Sequence, residues 1–125
     1  MEIEKYKGES LFLLRLVLAF IFLWHGIPKA FNIEMAMSKF VSMGFPGFLG
    51  PIIGWVEVIG GILLLVGMYT KLTSLILGIV IAVAIIFVHL QNGVTAGIER
   101  DLMIVVGFIV LAAFGPGKFA KEKRK

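Results

Sequence analysis

Hydrophobic residues fill four long stretches of the chain, at about residues 10–31, 46–68, 72–91 and 99–114. A helix that crosses a hydrocarbon core of ~30 Å needs about 20 predominantly apolar residues. No Asp, Glu, Lys or Arg occurs from Leu72 to Ile98, or from Leu102 to Gly117. The pattern predicts an all-α polytopic membrane protein, in which residues 1–125 form one four-transmembrane-helix bundle.

The segment between the first two stretches has a different periodicity. Ile33, Met37, Phe40 and Val41 recur at helical spacing, which is typical of an amphipathic helix lying in the membrane interface. The sequence "GMYTKLT" indicates a tight turn, and "GPGK" after Phe114 indicates a helix stop. We therefore expect a short interfacial helix between the first two spans.

Composition favours lipid as the solvent of this bundle. The chain has 125 residues, of which 59% are hydrophobic and 16% are charged, and its mean hydropathy is +1.01. A core of this size cannot hide so many apolar residues. Cysteine is absent, which excludes thiol–disulfide exchange, cysteine-ligated iron–sulfur clusters and thiolate zinc sites on this chain. A redox role would therefore require a bound cofactor or a partner that carries one.

Basic residues are distributed unequally between the two predicted membrane faces. Lys29, Lys39 and Arg100 lie on one face, and eight basic residues lie on the other: Lys5, Lys7, Lys71, Lys118, Lys121, Lys123, Arg124 and Lys125. Because an excess of basic residues marks the cytoplasmic side, we predict a multi-pass protein of the cell membrane with cytoplasmic N- and C-termini. The basic tail, residues 118–125, is assigned to anionic lipid headgroups and not to nucleic acid. Arg15 is predicted to extend its side chain to the same headgroups.

The other ionisable residues of the apolar stretches converge on the outer half of the predicted bundle, as a rise of 1.5 Å per residue shows. A buried charge in a membrane is costly unless it is paired or protonated, which favours a shared pocket. The pocket is predicted to contain six polar residues, His25, Lys29, Glu57, His89, Asn92 and Asp101.

Small residues occur at helical spacing in the second span, where Gly50, Gly54, Glu57 and Gly61 form one stripe. Small side chains allow membrane helices to approach closely. We predict that helix packing depends on six glycines, Gly26, Gly50, Gly54, Gly60, Gly61 and Gly78. Pro28 cannot donate to the carbonyl of Trp24 and is predicted to bend the first helix beside His25.

The predicted pocket has the groups that a quinone site needs, since quinone carbonyls require hydrogen-bond donors and their reduction requires protons. Other interpretations remain open. The polar cluster would only join helices in a non-catalytic scaffold or anchor for an oxidoreductase. A buried Glu–His set also suits a small-solute or proton transporter. His25 and His89 are candidate haem ligands, and no other metal site is predicted.

Several motifs resemble those of the DoxX family of small four-helix membrane proteins: "RLVLAFIFLWHGIPKAF", "GFPGFLGPIIGWVEVIGGILLLVGMYTKL", "VHLQNG" and "GPGK". The resemblance covers about Leu13 to Lys118. The positions that match the family pattern are Arg15, His25, Gly26, Lys29, Glu57, Gly60, Gly61, His89, Asn92, Gly93 and Asp101. At the start of the fourth span the family has an aromatic–acid pair, whereas this chain has "ERD".

The DoxX resemblance implies a membrane subunit associated with a respiratory or redox complex. A related protein is the membrane subunit of an archaeal thiosulfate:quinone oxidoreductase. We therefore expect a quinone, and no covalently bound cofactor, in the polar pocket. The expected partners are the lipid bilayer and either other subunits of a membrane redox complex or further copies of the chain. Whether the chain itself is an enzyme is left open.

Overall fold

The computed structural model describes residues 2–92 and 97–122, with the backbone alone for residues 2–3 and 88–92. A 3-10 turn (Glu2–Tyr6) precedes five helices, and the described residues contain no strand. The helices are α1 (Lys7–Phe31), α2 (Ile33–Ser42), α3 (Leu49–Val66), α4 (Thr70–Asn92) and α5 (Ile98–Phe114). The predicted all-α fold is confirmed, and α1, α3, α4 and α5 begin and end within three residues of the four predicted stretches.

Three segments of the described chain are long and apolar enough to cross a membrane: Glu4–Phe31, Leu49–Val66 and Thr70–Phe87. Helix α5 has 17 residues, which at 1.5 Å per residue extend about 26 Å, slightly less than the hydrocarbon core of ~30 Å. The prediction of a fourth span, and that of an interfacial position for α2, stay predictions.

The surface of the bundle is apolar over much of its length. Phe20, Trp24, Ile59, Leu72 and Met103 each leave more than half of their surface exposed. In water, exposed apolar residues in such number would cause association. Together with the three apolar segments, this surface indicates a membrane protein, in which these side chains would face lipid.

Helices α1 and α3 pack antiparallel to each other and form the centre of the bundle. The buried core contains Leu18 and Phe22 of α1, Leu64 of α3, Leu77 of α4 and Phe108 of α5. The rings of Phe22 and Phe108 stack with a centroid distance of 5.2 Å. Because α1, α3, α4 and α5 all contribute to this core, the core fixes α4 and α5 against the α1–α3 pair.

Glycines bring the backbones of α1, α2 and α3 into contact. A Cβ atom on Gly54 would lie 2.6 Å from the Cβ of Lys29 and 2.7 Å from the nitrogen of Ala30. A Cβ on Gly26 would lie 2.8 Å from the Cβ of Glu57, and one on Gly50 would meet the backbone of Ala36. At these three positions only the hydrogen of a glycine fits, so the glycines allow the short distances of α3 from α1 and from α2.

We expect Gly54→Ala to destabilise the protein by about 1–3 kcal/mol, because the added methyl group must push α1 away from α3. The matched control is Gly78→Ala, whose Cβ would lie 3.3 Å from the Cβ of Phe108. There the better helix propensity of alanine offsets the closer packing. Unfolding by SDS titration in mixed micelles measures both variants, and equal stability of the two would contradict the proposed close approach.

Arg15 lies in the interior of the bundle, and the prediction that its side chain extends to lipid headgroups is wrong. Its surface is 0% exposed. The guanidinium donates to five backbone carbonyls at 2.7–3.1 Å, which belong to Leu64, Leu65, Pro116, Lys118 and Phe119. Two of these carbonyls are at the C-terminal end of α3, where the helix dipole favours a cation.

The C-terminal segment, residues 115–122, folds back across this end of the bundle, which we call the Arg15 end. The amide of Lys118 donates to the carbonyl of Gly8 at 3.0 Å, and that of Lys121 donates to the carbonyl of Val66 at 2.8 Å. The Glu122 carboxylate accepts from the amide of Thr70 at 2.9 Å. Both ends of the described chain therefore meet here, together with the α3–α4 turn.

Candidate functional site

A cavity of about 500 Å³ lies at the other end of the bundle, among residues from all five helices. His25 follows Arg15 by ten residues in α1, which corresponds to about 15 Å along the helix axis. The cavity walls are largely apolar side chains, among them Ile21, Phe22, Leu49, Ile53, Ile79, Val83 and Ile104. The polar lining residues are His25, Lys29, Lys39, Glu57, Arg100 and Asp101.

An ion pair between α1 and α3 borders the cavity. The ammonium group of Lys29 donates to Oε1 of Glu57 at 2.7 Å, and the two side chains are 21% and 3% exposed. Gly26 and Gly54 allow the two helices to approach at this level, so the carboxylate is enclosed between the backbones. Removal of a charge from water is costly, so each of these two charged groups is stabilised within the bundle by the opposite charge of its partner.

His25 lies one turn before Lys29 in α1 and lines the same cavity. Within the described residues, its imidazole has no hydrogen-bond partner. Lys29, Glu57, Lys39 and Arg100 are all within electrostatic range of the ring. The imidazole is therefore available to donate to, or accept from, a ligand in the cavity.

Aromatic side chains from α2 and the α2–α3 loop cover one side of the cavity. Phe40 and Phe45 have a centroid distance of 6.0 Å, and Phe45 contacts Phe87 of α4 edge-to-face at 5.0 Å. Helix α2 reaches this position because the backbone of Ala36 packs on Gly50. The Asn32 side chain caps α2 by accepting from the amide of Met35.

The first turn of α5 contributes Arg100 and Asp101 to the cavity lining. Nε of Arg100 lies 3.4 Å from Oδ1 of Asp101, and the side chains are 63% and 22% exposed. Gly97, with φ of 98°, precedes the helix in the left-handed conformation that glycine adopts readily. Arg100 is thus the more accessible of the two residues and lies at the rim.

The cavity contains four of the six polar residues that the sequence analysis selected: His25, Lys29, Glu57 and Asp101. His89 and Asn92 lie in the last turns of α4, and their side chains are outside the described residues. A pocket containing all six residues therefore stays a prediction, as does a haem held by His25 and His89. Among the described residues, no group of three His, Cys, Asp or Glu is placed to hold a metal ion.

Two cavity residues, Lys39 and Arg100, were not selected from the sequence. Both entered the sequence analysis only as charges that determine orientation. The available signal was the position of Lys39 between Ala36 and Phe40 in the amphipathic segment, which predicts that it lies close to residues packed on the bundle.

The sequence is similar to a known family and to several known proteins. The DoxX family profile matches residues 10–90. The chain is 32% identical to "Putative oxidoreductase CatD" of Bacillus subtilis (strain 168) over 103 residues, which are 82% of this chain and 77% of that protein. It is 27% identical to "Inner membrane protein YqjF" of Escherichia coli (strain K12), with 96% of this chain and 95% of that protein covered.

A similar relative is "Uncharacterized membrane protein Rv3486" of Mycobacterium tuberculosis (strain ATCC 25618 / H37Rv). It is 29% identical to this chain, with 92% of this chain and 80% of the relative covered. No solved structure matches the chain. The family profile covers well over half of the sequence and includes His25, Lys29 and Glu57, so the protein belongs to the DoxX family.

Proposed function

We propose that the protein is a membrane subunit of a redox system and that its cavity binds a quinone or a similar apolar redox ligand. The supporting observation is the cavity itself, whose largely apolar lining includes the exposed imidazole of His25, which has no hydrogen-bond partner among the described residues, beside the Lys29–Glu57 pair. Its volume of about 500 Å³ falls in the range of sites for small molecules and cofactors, which is about 300–1,000 Å³. The name of the Bacillus subtilis relative, which includes the word oxidoreductase, agrees with this proposal.

The lining residues suit the proton chemistry of a quinone. Reduction of a quinone to a quinol takes up two electrons and two protons at its carbonyl oxygens. His25 and Lys29 are donors for a carbonyl oxygen, and the Glu57 carboxylate holds the Lys29 ammonium at the cavity. The chain has no cysteine, and we assign the supply of electrons to a partner oxidoreductase.

In this proposal α1, α3, α4 and α5 all cross the membrane, and α2 lies in the outer interface. The Arg15 end, where both ends of the described chain lie, faces the cytoplasm in accordance with its basic residues. The cavity then opens in the outer half of the membrane.

The test fills the cavity with a larger side chain. Ile53 lines the cavity, whereas Ile59 lies on the same helix and is 55% exposed on the outer surface. The protein is purified in mild detergent, extracted with organic solvent for bound quinone, and titrated with a short-chain quinone. We expect Ile53→Trp to lose at least about tenfold in affinity, which corresponds to 1.4 kcal/mol, and Ile59→Trp to bind as the unaltered protein does.

The proposal fails if the protein carries no quinone and binds none, or if both tryptophan variants bind equally well. An absorption spectrum of the same sample tests the haem alternative. A Soret band that is lost in His25→Ala would replace the quinone by haem as the redox group.

A non-catalytic scaffold for an oxidoreductase is the second candidate. The observation that favours it is the Lys29–Glu57 pair, which joins α1 to α3 where their backbones touch. In that case His25→Ala, which leaves the pair intact, retains a partner enzyme isolated from native membranes and loses none of its activity. If the first proposal holds, His25→Ala retains the partner but loses quinone reduction.

A further inference from the structure

The charges that line the cavity do not balance. Among the lining residues that the structure describes, there are three cations, Lys29, Lys39 and Arg100, and two carboxylates, Glu57 and Asp101. Lys29 is paired with Glu57 at 2.7 Å, and Arg100 lies 3.4 Å from Asp101. In the part of the chain that the structure describes, the ammonium group of Lys39 has no ion pair or hydrogen bond.

Lys39 and Arg100 approach the cavity from different helices. Lys39 belongs to the last turn of α2, and Arg100 belongs to the first turn of α5. Both are exposed, whereas Glu57 is buried. The two cations therefore lie at the rim of the cavity. Apolar residues such as Ile53 and Ile104 line the cavity further inside.

We propose that the ligand of this cavity is an amphiphile with an acidic head group, which Lys39 and Arg100 bind at the rim while its apolar part lies between the walls. This inference rests on the proposed function and narrows it, because the favoured quinones are those with an ionised hydroxyl group on the ring. A neutral head group gains no ion pair with Lys39 or Arg100, whose exposed charged groups stay hydrated beside it. An anionic one forms charge-assisted hydrogen bonds, which are about twice as strong as neutral ones.

Two probes of nearly the same shape separate the effect of charge from that of the ring. A 2-hydroxy-3-alkyl-1,4-naphthoquinone is an anion at neutral pH, and its 2-methoxy analogue is neutral. Binding of both is measured with the full chain in nanodiscs of phosphatidylcholine, which has no net charge. We expect the hydroxy compound to bind about tenfold more tightly than the methoxy compound.

The variants Lys39→Gln and Arg100→Gln are each expected to reduce this preference to about threefold or less. The matched control is Lys71→Gln, because Lys71 is an exposed lysine in the first turn of α4, at the Arg15 end. It is expected to keep the full preference. Unfolding by SDS titration shows that the variants are folded, and the two rim variants test the inference separately.

The result that overturns the inference is equal binding of the two naphthoquinones with no effect of either rim variant. In that case binding of both probes still supports the proposed function. A saturated fatty acid, which has an acidic head group but no quinone ring, is added to the same titration as a competitor. If it displaces the hydroxy compound with equal affinity and depends on Lys39, the acidic head group is supported and the quinone function is overturned.

A phospholipid phosphate is a second source of the same anionic chemistry. Nanodiscs that contain phosphatidylglycerol distinguish it, since a site filled by that lipid loses the hydroxy preference there while keeping it in phosphatidylcholine. Loss of the preference would assign the rim to lipid headgroups and overturn the inference. Retention of the preference in both membranes would support the inference that the rim binds the acidic head group of the ligand and not a lipid phosphate.

Discussion

Lys29→Met is expected to lower the free energy of unfolding by about 3–5 kcal/mol, because it leaves the Glu57 carboxylate enclosed between α1 and α3 without a cation. The Glu57 side chain is 3% exposed and accepts from Lys29 at 2.7 Å. Replacement of one partner of a buried ion pair costs more than replacement of both, since the remaining charge is neither paired nor hydrated. SDS titration in mixed micelles gives the stability of each variant.

The double variant Lys29→Met with Glu57→Leu is the control. Two apolar side chains of similar volume remove both charges, so the double variant is expected to recover most of the stability that Lys29→Met loses. The cycle completed with Glu57→Leu gives the coupling energy between the two positions. A coupling energy near zero would contradict the assignment of the pair as a buried link between α1 and α3.

Arg15→Met is expected to destabilise the protein by at least about 3 kcal/mol and to detach the C-terminal segment, residues 115–122. Five carbonyls lose their donor, and a hydrogen bond to a charged group contributes about 1.5–3 kcal/mol. Three of these carbonyls belong to Pro116, Lys118 and Phe119. Limited trypsin digestion reports the detachment directly, because cleavage after Lys118 and Lys121 should become faster.

Arg100→Met provides the matched control, since the Arg100 side chain is 63% exposed and its 3.4 Å contact with Asp101 is near the surface. An exposed ion pair contributes about 0–1 kcal/mol, so the stability and the rate of cleavage after Lys118 and Lys121 should remain close to those of the unaltered protein, and only the cleavage site after Arg100 itself is lost. If Arg15→Met leaves trypsin cleavage unchanged, Arg15 does not hold the segment in place.

The helices and part of the site could be predicted because they depend on local patterns. Apolar stretches bounded by turn residues predicted where α1, α3, α4 and α5 lie, and the spacing of Gly50, Gly54 and Glu57 predicted that they share a face. The structure buries all three of these residues against neighbouring helices. The close contact of α1 and α3 then brings Lys29 to Glu57.

Arg15 and Lys39 show what the sequence alone does not determine. The partners of Arg15 are carbonyls separated from it by about 50 and about 100 positions in the chain, and backbone carbonyls leave no signal in residue identity. Lys39 faces the cavity because α2 packs its Ala36 backbone on Gly50 of α3. The surroundings of Arg15 and of Lys39 both depend on tertiary packing. The pattern of charges along the chain therefore predicted only how the protein is oriented in the membrane and not what these two side chains contact.

The central claim is that one cavity next to His25 and Glu57 binds an apolar redox ligand, and photo-crosslinking tests it most directly. The protein in nanodiscs is irradiated with an azido-quinone, and the labelled residues are identified by peptide mass spectrometry. The account predicts labels on wall residues such as Phe22, Ile53 and Ile104 that disappear with excess unlabelled quinone. Labels spread over outward-facing residues such as Phe20 and Ile59, and unaffected by the competitor, would contradict it.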